Sequence, residues 1–371
     1  MLRNLTLGLC LTACAMATVS NAQDRPAPKP GAAESAYLPS QAQWDNMNAK
    51  GKAFVAKAQA LAGNDSDLKF DFSIFCQANG GASNKARATL GAPQGAPYAA
   101  FPAPEKIMVM PPQRLFDNMW WFGDTHVGVY VFTSNDGYIM VDAMDNAAEA
   151  RDIVVGGMKK VGLDPAKIKY VIYGHWHGDH TGGGHYIETN YHPRAIMGRD
   201  DWDLYYKMLA DASKGKGQGS AARLDDKVGM KHDIDAVDGM KIKVGDLTGT
   251  VYQMTGHTPG SIGMVIPVKW GGKEHPILIV TAGTDVHNRD ALIGGYEHIW
   301  DAALNAKVES VFQVHPNTNV NTLGRVKYVN DNFASFAKSG NNPLLYGVDK
   351  TRKNIEIMRN CTLARLQALG W

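Results

Sequence analysis

The stretch Tyr173-Gly174-His175-Trp176-His177-Gly178-Asp179-His180-Thr181-Gly182-Gly183-Gly184 constrains this chain more than any other, because it sets three imidazoles and one carboxylate within six residues, directly behind an apolar run. Side chains alternate along an extended backbone, so His175 and His177 leave on one side. A turn after them brings Asp179 and His180 round to a neighbouring position. Neutral imidazole nitrogen and carboxylate oxygen are the ligands zinc prefers at catalytic sites, where one position stays open for water. A single surface histidine would carry no such meaning, but groups of these types so tightly spaced read as a metal centre.

Two later histidines stand at the ends of expected strands. His257 lies in Thr255-Gly256-His257-Thr258-Pro259-Gly260-Ser261, and His315 follows the expected strand 311–314 and precedes Pro316. Alone, each is more commonly a polar cap on a strand end than a ligand. Loops at one edge of a layered sheet structure converge in space, however, so the two can complete a pair of three-ligand sites with the cluster.

The rest of the chain is read around that centre. Residues 119–132 and 138–142 are rich in aromatic and β-branched side chains and meet at Ser134-Asn135-Asp136-Gly137, a hairpin signal. Residues 147–161 have helical character, and 168–173 form the β run that ends at the cluster. A second half follows, with strands expected at 241–244, 249–254, 263–268 and 277–281, a helix at 298–306 and a strand at 310–314. Strand pairs alternating with helices, twice over, suggest sheets sandwiched between helical layers. The Gly-rich segment 214–220 between the halves reads as a flexible loop, either a plain connection or one placed over the site.

At the N-terminus, Arg3, a short apolar stretch and Ser20-Asn21-Ala22 have the parts of a secretory signal, cleaved after Ala22, which implies a periplasmic or secreted protein with no transmembrane segment in the mature chain. Leu11-Thr12-Ala13-Cys14 leaves a lipid-attachment route open. Cys10 and Cys14 depart with the signal, and the remaining pair, Cys76 and Cys361, is expected to be bridged in an oxidising compartment. Residues 23–40 read as a Pro-rich mobile linker, 41–62 as a helix, 77–104 as an irregular connection, 41–104 together as an N-terminal extension, and 105–371 as the main domain. The charge balance, 38 Lys and Arg against 36 Asp and Glu, offers no basic field for nucleic acid. Nothing in the sequence fixes the oligomeric state.

The order His-x-His-x-Asp-His, then Gly-His-Thr-Pro-Gly, then His-Pro resembles the metallo-β-lactamase superfamily, most closely the third subclass of the zinc β-lactamases. The resemblance runs from Met119-Trp120-Trp121-Phe122-Gly123 through Gly137-Tyr138-Ile139-Met140-Val141-Asp142 to Asn342-Pro343-Leu344. It implies an α+β fold, the αββα four-layer sandwich, with two zinc ions per chain. His175, His177 and His257 would hold one ion, and Asp179, His180 and His315 the other, while Asp142 steadies the histidine loop from behind. The implied reaction is hydrolysis of a small-molecule substrate, with zinc-bound hydroxide opening a β-lactam amide and Asp179 also accepting the water's proton. Hydrolysis of lactones, thioesters or another small carbonyl compound on the same centre is the alternative. A third reading, a non-enzymatic zinc module, is disfavoured because structural zinc is usually closed by four ligands.

Departures from neighbouring patterns narrow the choice. No cysteine lies between Cys76 and Cys361, which excludes the cysteine-containing second site of the first two subclasses. Thr281-Ala282-Gly283-Thr284-Asp285 has glycine where glyoxalase-like members carry a metal-bridging aspartate, leaving Asp285 as an outside candidate. His177 stands where the flavin-linked di-iron branch has glutamate. Ser261 is expected to be structural.

Overall fold

Alternation along the strands decides how the layers stack. In the computed structural model, which describes residues 25–26, 38–78, 92–100, 106–281, 289–316 and 322–370, two large sheets face each other. The first has seven strands in sequential order: β1 (Gln113–Phe116), β2 (Met119–Gly123), β3 (Gly128–Thr133), β4 (Tyr138–Val141), β5 (Ile168–Ile172), β6 (Arg194–Gly198) and β7 (Ile234–Ala236). β1 to β4 are antiparallel, and from β4 onward the pairing is parallel. The second holds β8 (Lys241–Val244), β9 (Leu247–Gln253), β10 (Ile262–Trp270), β11 (Lys273–Val280) and β12 (Val311–Gln313), antiparallel except for the β11–β12 pair.

Along β3, Tyr130 and Phe132 turn toward the second sheet, where they meet Val251, Ile262, Met264, Ile266 and Ile279 in the central core. Their neighbours Val129 and Val131 turn the other way, beneath Ile153, Val154, Met158, Trp202 and Tyr205 of the covering helices. On the far side, Leu278, Val280 and Val311 lie under Ile299 and Trp300 of the helix Arg289–Asn305 and under Ile355 and Met358 of the C-terminal helix Val348–Ala368. The outcome is the expected αββα sandwich, with apolar surface buried on both faces of each sheet.

Three N-terminal helices, Gln41–Asp45, Ala49–Ala62 and Ser66–Phe75, add to the outer layer beside the C-terminal helix. The single helix expected over 41–62 is broken because Asn48 is an N-cap, its side chain accepting from Gly51 N at 2.9 Å. Cys76 and Cys361 are joined across a sequence separation of 285, their Cα atoms 4.7 Å apart. Beside them Arg365 donates to the Phe75 carbonyl at 2.6 Å and Asn354 to the Asp71 carboxylate at 2.7 Å, so the contact is polar as well as covalent.

Three other expectations are modified. The apolar run 119–132 is two strands, parted by a turn in which Asp124 Oδ1 accepts from His126 N at 2.7 Å and Val127 N at 2.9 Å. The helix after β4 passes through a π-helical stretch, Ala150–Val155. In the Pro-rich segment read as a mobile linker, Arg25–Pro26 pairs with Lys106–Ile107. The signal sequence with Cys10 and Cys14, most of the linker, and Asp285 lie outside the described residues. Among those described, no helix is long and apolar enough to cross a membrane.

Candidate metal centre

β5 delivers the cluster to the sheet edge through Gly174, where a Cβ would come within 2.0 Å of the Thr281 side chain, so only glycine lets the two loops approach. Gly174 N donates to Asp142 Oδ1 at 2.9 Å, and His180 Nδ1 donates to Asp142 Oδ2 at 2.7 Å. Asp142 closes β4 in the left-handed region, φ 64°, fully buried, and its two oxygens bridge the start and the end of the histidine loop. With Nδ1 protonated, His180 keeps its Nε2 lone pair for whatever lies in front of it.

The first trio is His175, His177 and His257. His175 Nε2 and His257 Nε2 lie 3.0 and 3.2 Å from the same atom, His177 Nδ1. Burial first, then the neighbouring His180, His257 and His177, hold the pKa of His175 well below its ordinary value, which keeps the ring neutral and its nitrogen available. Lone pairs gathered on one point are what a metal ion resolves. Bonds of about 2.0–2.1 Å to a tetrahedral zinc would put ligand atoms about 3.3 Å apart, close to the separations found.

The second group forms around Asp179 Oδ2. His315 Nε2 lies 3.4 Å from it, His180 Nε2 3.7 Å and His126 Nε2 3.8 Å. Every residue expected from the sequence is therefore present at one edge of the sandwich. At this second position the ligand atoms of His126, Asp179 and His315 all lie within 4.8 Å of one another, so His126 joins the expected residues there. Burial alone would raise the Asp179 pKa, but His180, the hydrogen bond and charge of His315, and the charge of His126 carry it well below the ordinary carboxylate range. The two groups adjoin, the rings of His175 and His180 having centroids 4.0 Å apart.

Sequence reasoning missed three contributors. His126 lies inside the run 119–132 read as rich in aromatic and β-branched residues, and the overlooked signal is the Gly123-Asp124 turn. Asp201, buried at the start of the helix Arg199–Ser213, accepts from Trp176 N at 3.1 Å, Gly260 N at 2.8 Å and Thr258 Oγ1 at 2.6 Å, tying the loop of His175 and His177 to the loop of His257. Burial pushes its pKa up to about 6 against the pull of those hydrogen bonds. Ser220, at the end of the Gly-rich segment, accepts from Gly178 N at 3.0 Å, so that segment touches the metal loop. Ser261 is buried and engaged with Thr258, as a structural serine should be.

The fold and the clusters define an αββα sandwich with a histidine-rich, metal-binding edge. Residues 122–269 match the family model described as the metallo-beta-lactamase superfamily. Among solved structures, the chain is similar to BJP-1, a subclass B3 metallo-beta-lactamase of Bradyrhizobium japonicum, at 20% identity over 70% of this chain and 96% of that one, with a TM-score of 0.53. It is also similar to FEZ-1 from Legionella gormanii, at 17% identity over 69% and 95% with a TM-score of 0.54, and to GOB-18 from Elizabethkingia meningoseptica, at 17% over 69% and 92% with a TM-score of 0.51. The segment 122–269 thus resembles the metallo-β-lactamase superfamily, and the chain shares its αββα fold with the subclass B3 structures.

Proposed function

We propose that the protein is an exported, dinuclear zinc hydrolase that opens β-lactam rings in the periplasm or outside the cell. The observation that carries this reading is the pair of adjoining groups, His175 with His177 and His257, and Asp179 with His180 and His315, separated by a ring-to-ring distance of 4.0 Å between His175 and His180. Zinc held in these two positions would supply Lewis acidity toward a carbonyl oxygen and an activated water at neutral pH.

What the chain itself contributes can be followed atom by atom. Asp179, ionised by its histidine neighbours, offers Oδ2 to orient a water and to accept its proton. His180 and His315 are each fixed in one tautomer, by Asp142 Oδ2 and by the His126 carbonyl (2.7 Å to His315 Nδ1), so their Nε2 atoms face Asp179. Asp201 holds the two loops of the first trio in register. No serine nucleophile is needed, because the side chain of Ser261 is spent on Thr258. The similarity to subclass B3 structures supports a β-lactam as the small-molecule substrate, and the bridge between Cys76 and Cys361 supports an oxidising compartment.

The test is turnover of a chromogenic cephalosporin, a penicillin and a carbapenem by zinc-loaded protein lacking residues 1–22, with and without clavulanate. Hydrolysis indifferent to clavulanate is expected. Turnover of acyl-homoserine lactones or thioesters, with none of the β-lactams, would reassign the substrate to another small carbonyl compound.

A further inference from the structure

His126 sits where two strands fold back on each other, and its placement owes nothing to the histidine cluster. Asp124 Oδ1 takes the backbone N–H groups of His126 and Val127, and Gly123 pairs with Gly128 to close the turn between β2 and β3. Gly128 N in turn donates to the Val314 carbonyl at 3.0 Å, which locks this turn to the residue before His315. The His126 ring then points at Asp179, with its Nε2 buried and 3.8 Å from Oδ2, and its centroid 5.1 Å from that of His315.

At 3.8 Å the two atoms are too far apart for a hydrogen bond. Two ligands on one tetrahedral ion with bonds of about 2.0–2.1 Å are separated by about 3.3–3.4 Å, and the ligand atoms of His126, Asp179 and His315, all within 4.8 Å of one another, need only a small approach to share one. The distances from Asp179 Oδ2 to His315, His180 and His126, 3.4, 3.7 and 3.8 Å, form one graded set with no gap between the expected ligands and the additional one. We propose that His126 is a further protein ligand at the second metal position, joining Asp179, His180 and His315 there. This rests on the dinuclear reading of the site. His126 is also bifunctional: its carbonyl sets the tautomer of His315 and its ring shares the ion that His315 faces.

The backbone contact does not depend on the ring, so His126→Gln removes the ligand and leaves the support of His315 in place. Cobalt(II) and zinc titrations of the chelator-treated parent and variant give the affinity of each position, and proton NMR of the cobalt(II) forms resolves the shifted exchangeable N–H of each coordinated imidazole. The parent takes up two ions. His126→Gln binds the first as the parent does, binds the second at least about tenfold more weakly, and lacks one shifted imidazole N–H. His185→Gln, which alters a histidine paired with Asp226 instead, changes neither. Matching metal-free melting curves establish that the variant folds, and His126→Asn replaces it if it does not. A parent that binds fewer than two ions contradicts the dinuclear reading itself. A parent with two ions and a variant with unchanged affinity and a full set of shifted resonances overturns the role of His126 alone.

Discussion

His180 and Asp142 are joined by a 2.7 Å hydrogen bond in which the imidazole Nδ1–H donates to a fully buried carboxylate whose other oxygen takes the Gly174 N–H. One side chain thus fixes both ends of the metal loop. Asp142→Asn would place an amide N–H against one of these two donors while tolerating the left-handed backbone. The expected result is a 10–100-fold loss of zinc affinity, read by competition with a chromogenic chelator. Unchanged affinity would show that Asp142 supports the loop without tuning the ligand.

Asp201 ties the first trio together, and its environment carries a pH signature. Its folded pKa, about 6, lies above the ordinary carboxylate value of 3.8, so the folded state holds the proton more tightly than the unfolded chain. Its contribution to stability is therefore greatest below the unfolded value, declines as pH rises between the two, and is constant above. Asp201→Asn cannot ionise and should escape that decline, on the order of 3 kcal/mol, while losing an acceptor at every pH. Urea unfolding of metal-free parent and variant at several pH values from 4 to 7 measures the difference; a constant difference across that range would contradict the assignment.

Asp179→Asn separates chemistry from metal binding. The amide keeps an oxygen that can face the second metal position, with His180 and His315 intact, but loses the charge that orients a water and takes its proton. Turnover should fall by about 10²–10⁴ with zinc content largely retained. Stoichiometry and kcat on one preparation decide it: near-normal turnover removes Asp179 from the mechanism, and loss of both ions makes its role assembly of the site.

The bridge between Cys76 and Cys361 clamps the N-terminal helices to the C-terminal helix. Protein lacking residues 1–22, purified without reductant, should show no free thiol on denaturation. Replacing both cysteines with serine should lower stability by as much as about 5 kcal/mol in the chain-entropy model. Two titratable thiols would refute the pairing.

The centre of this site was legible because its ligands are crowded into one motif, and because His257 and His315 each follow an apolar run that had to be a strand. The sandwich was legible for the same reason: alternating residues such as Val129, Tyr130, Val131 and Phe132 serve two cores at once. His126 was not, since residues 119–132 read together as a run rich in aromatic and β-branched residues although Gly123-Asp124 interrupts it, and there the Asp124 side chain accepts from two backbone N–H groups. Asp201 was hidden differently. An acidic residue in the first turn of a helix is ordinary there, and its reach to Trp176, Thr258 and Gly260 exists only once the loops have folded over it.

Metal content is the quantity on which the dinuclear zinc hydrolase stands or falls. Zinc should be counted by elemental analysis of protein purified without chelator, dialysed against a strong chelator, and then titrated with zinc while hydrolysis is followed. Close to two zinc ions per chain are expected, with activity abolished by chelation and recovered on adding zinc. Iron in place of zinc, or hydrolysis indifferent to the chelator, would contradict it.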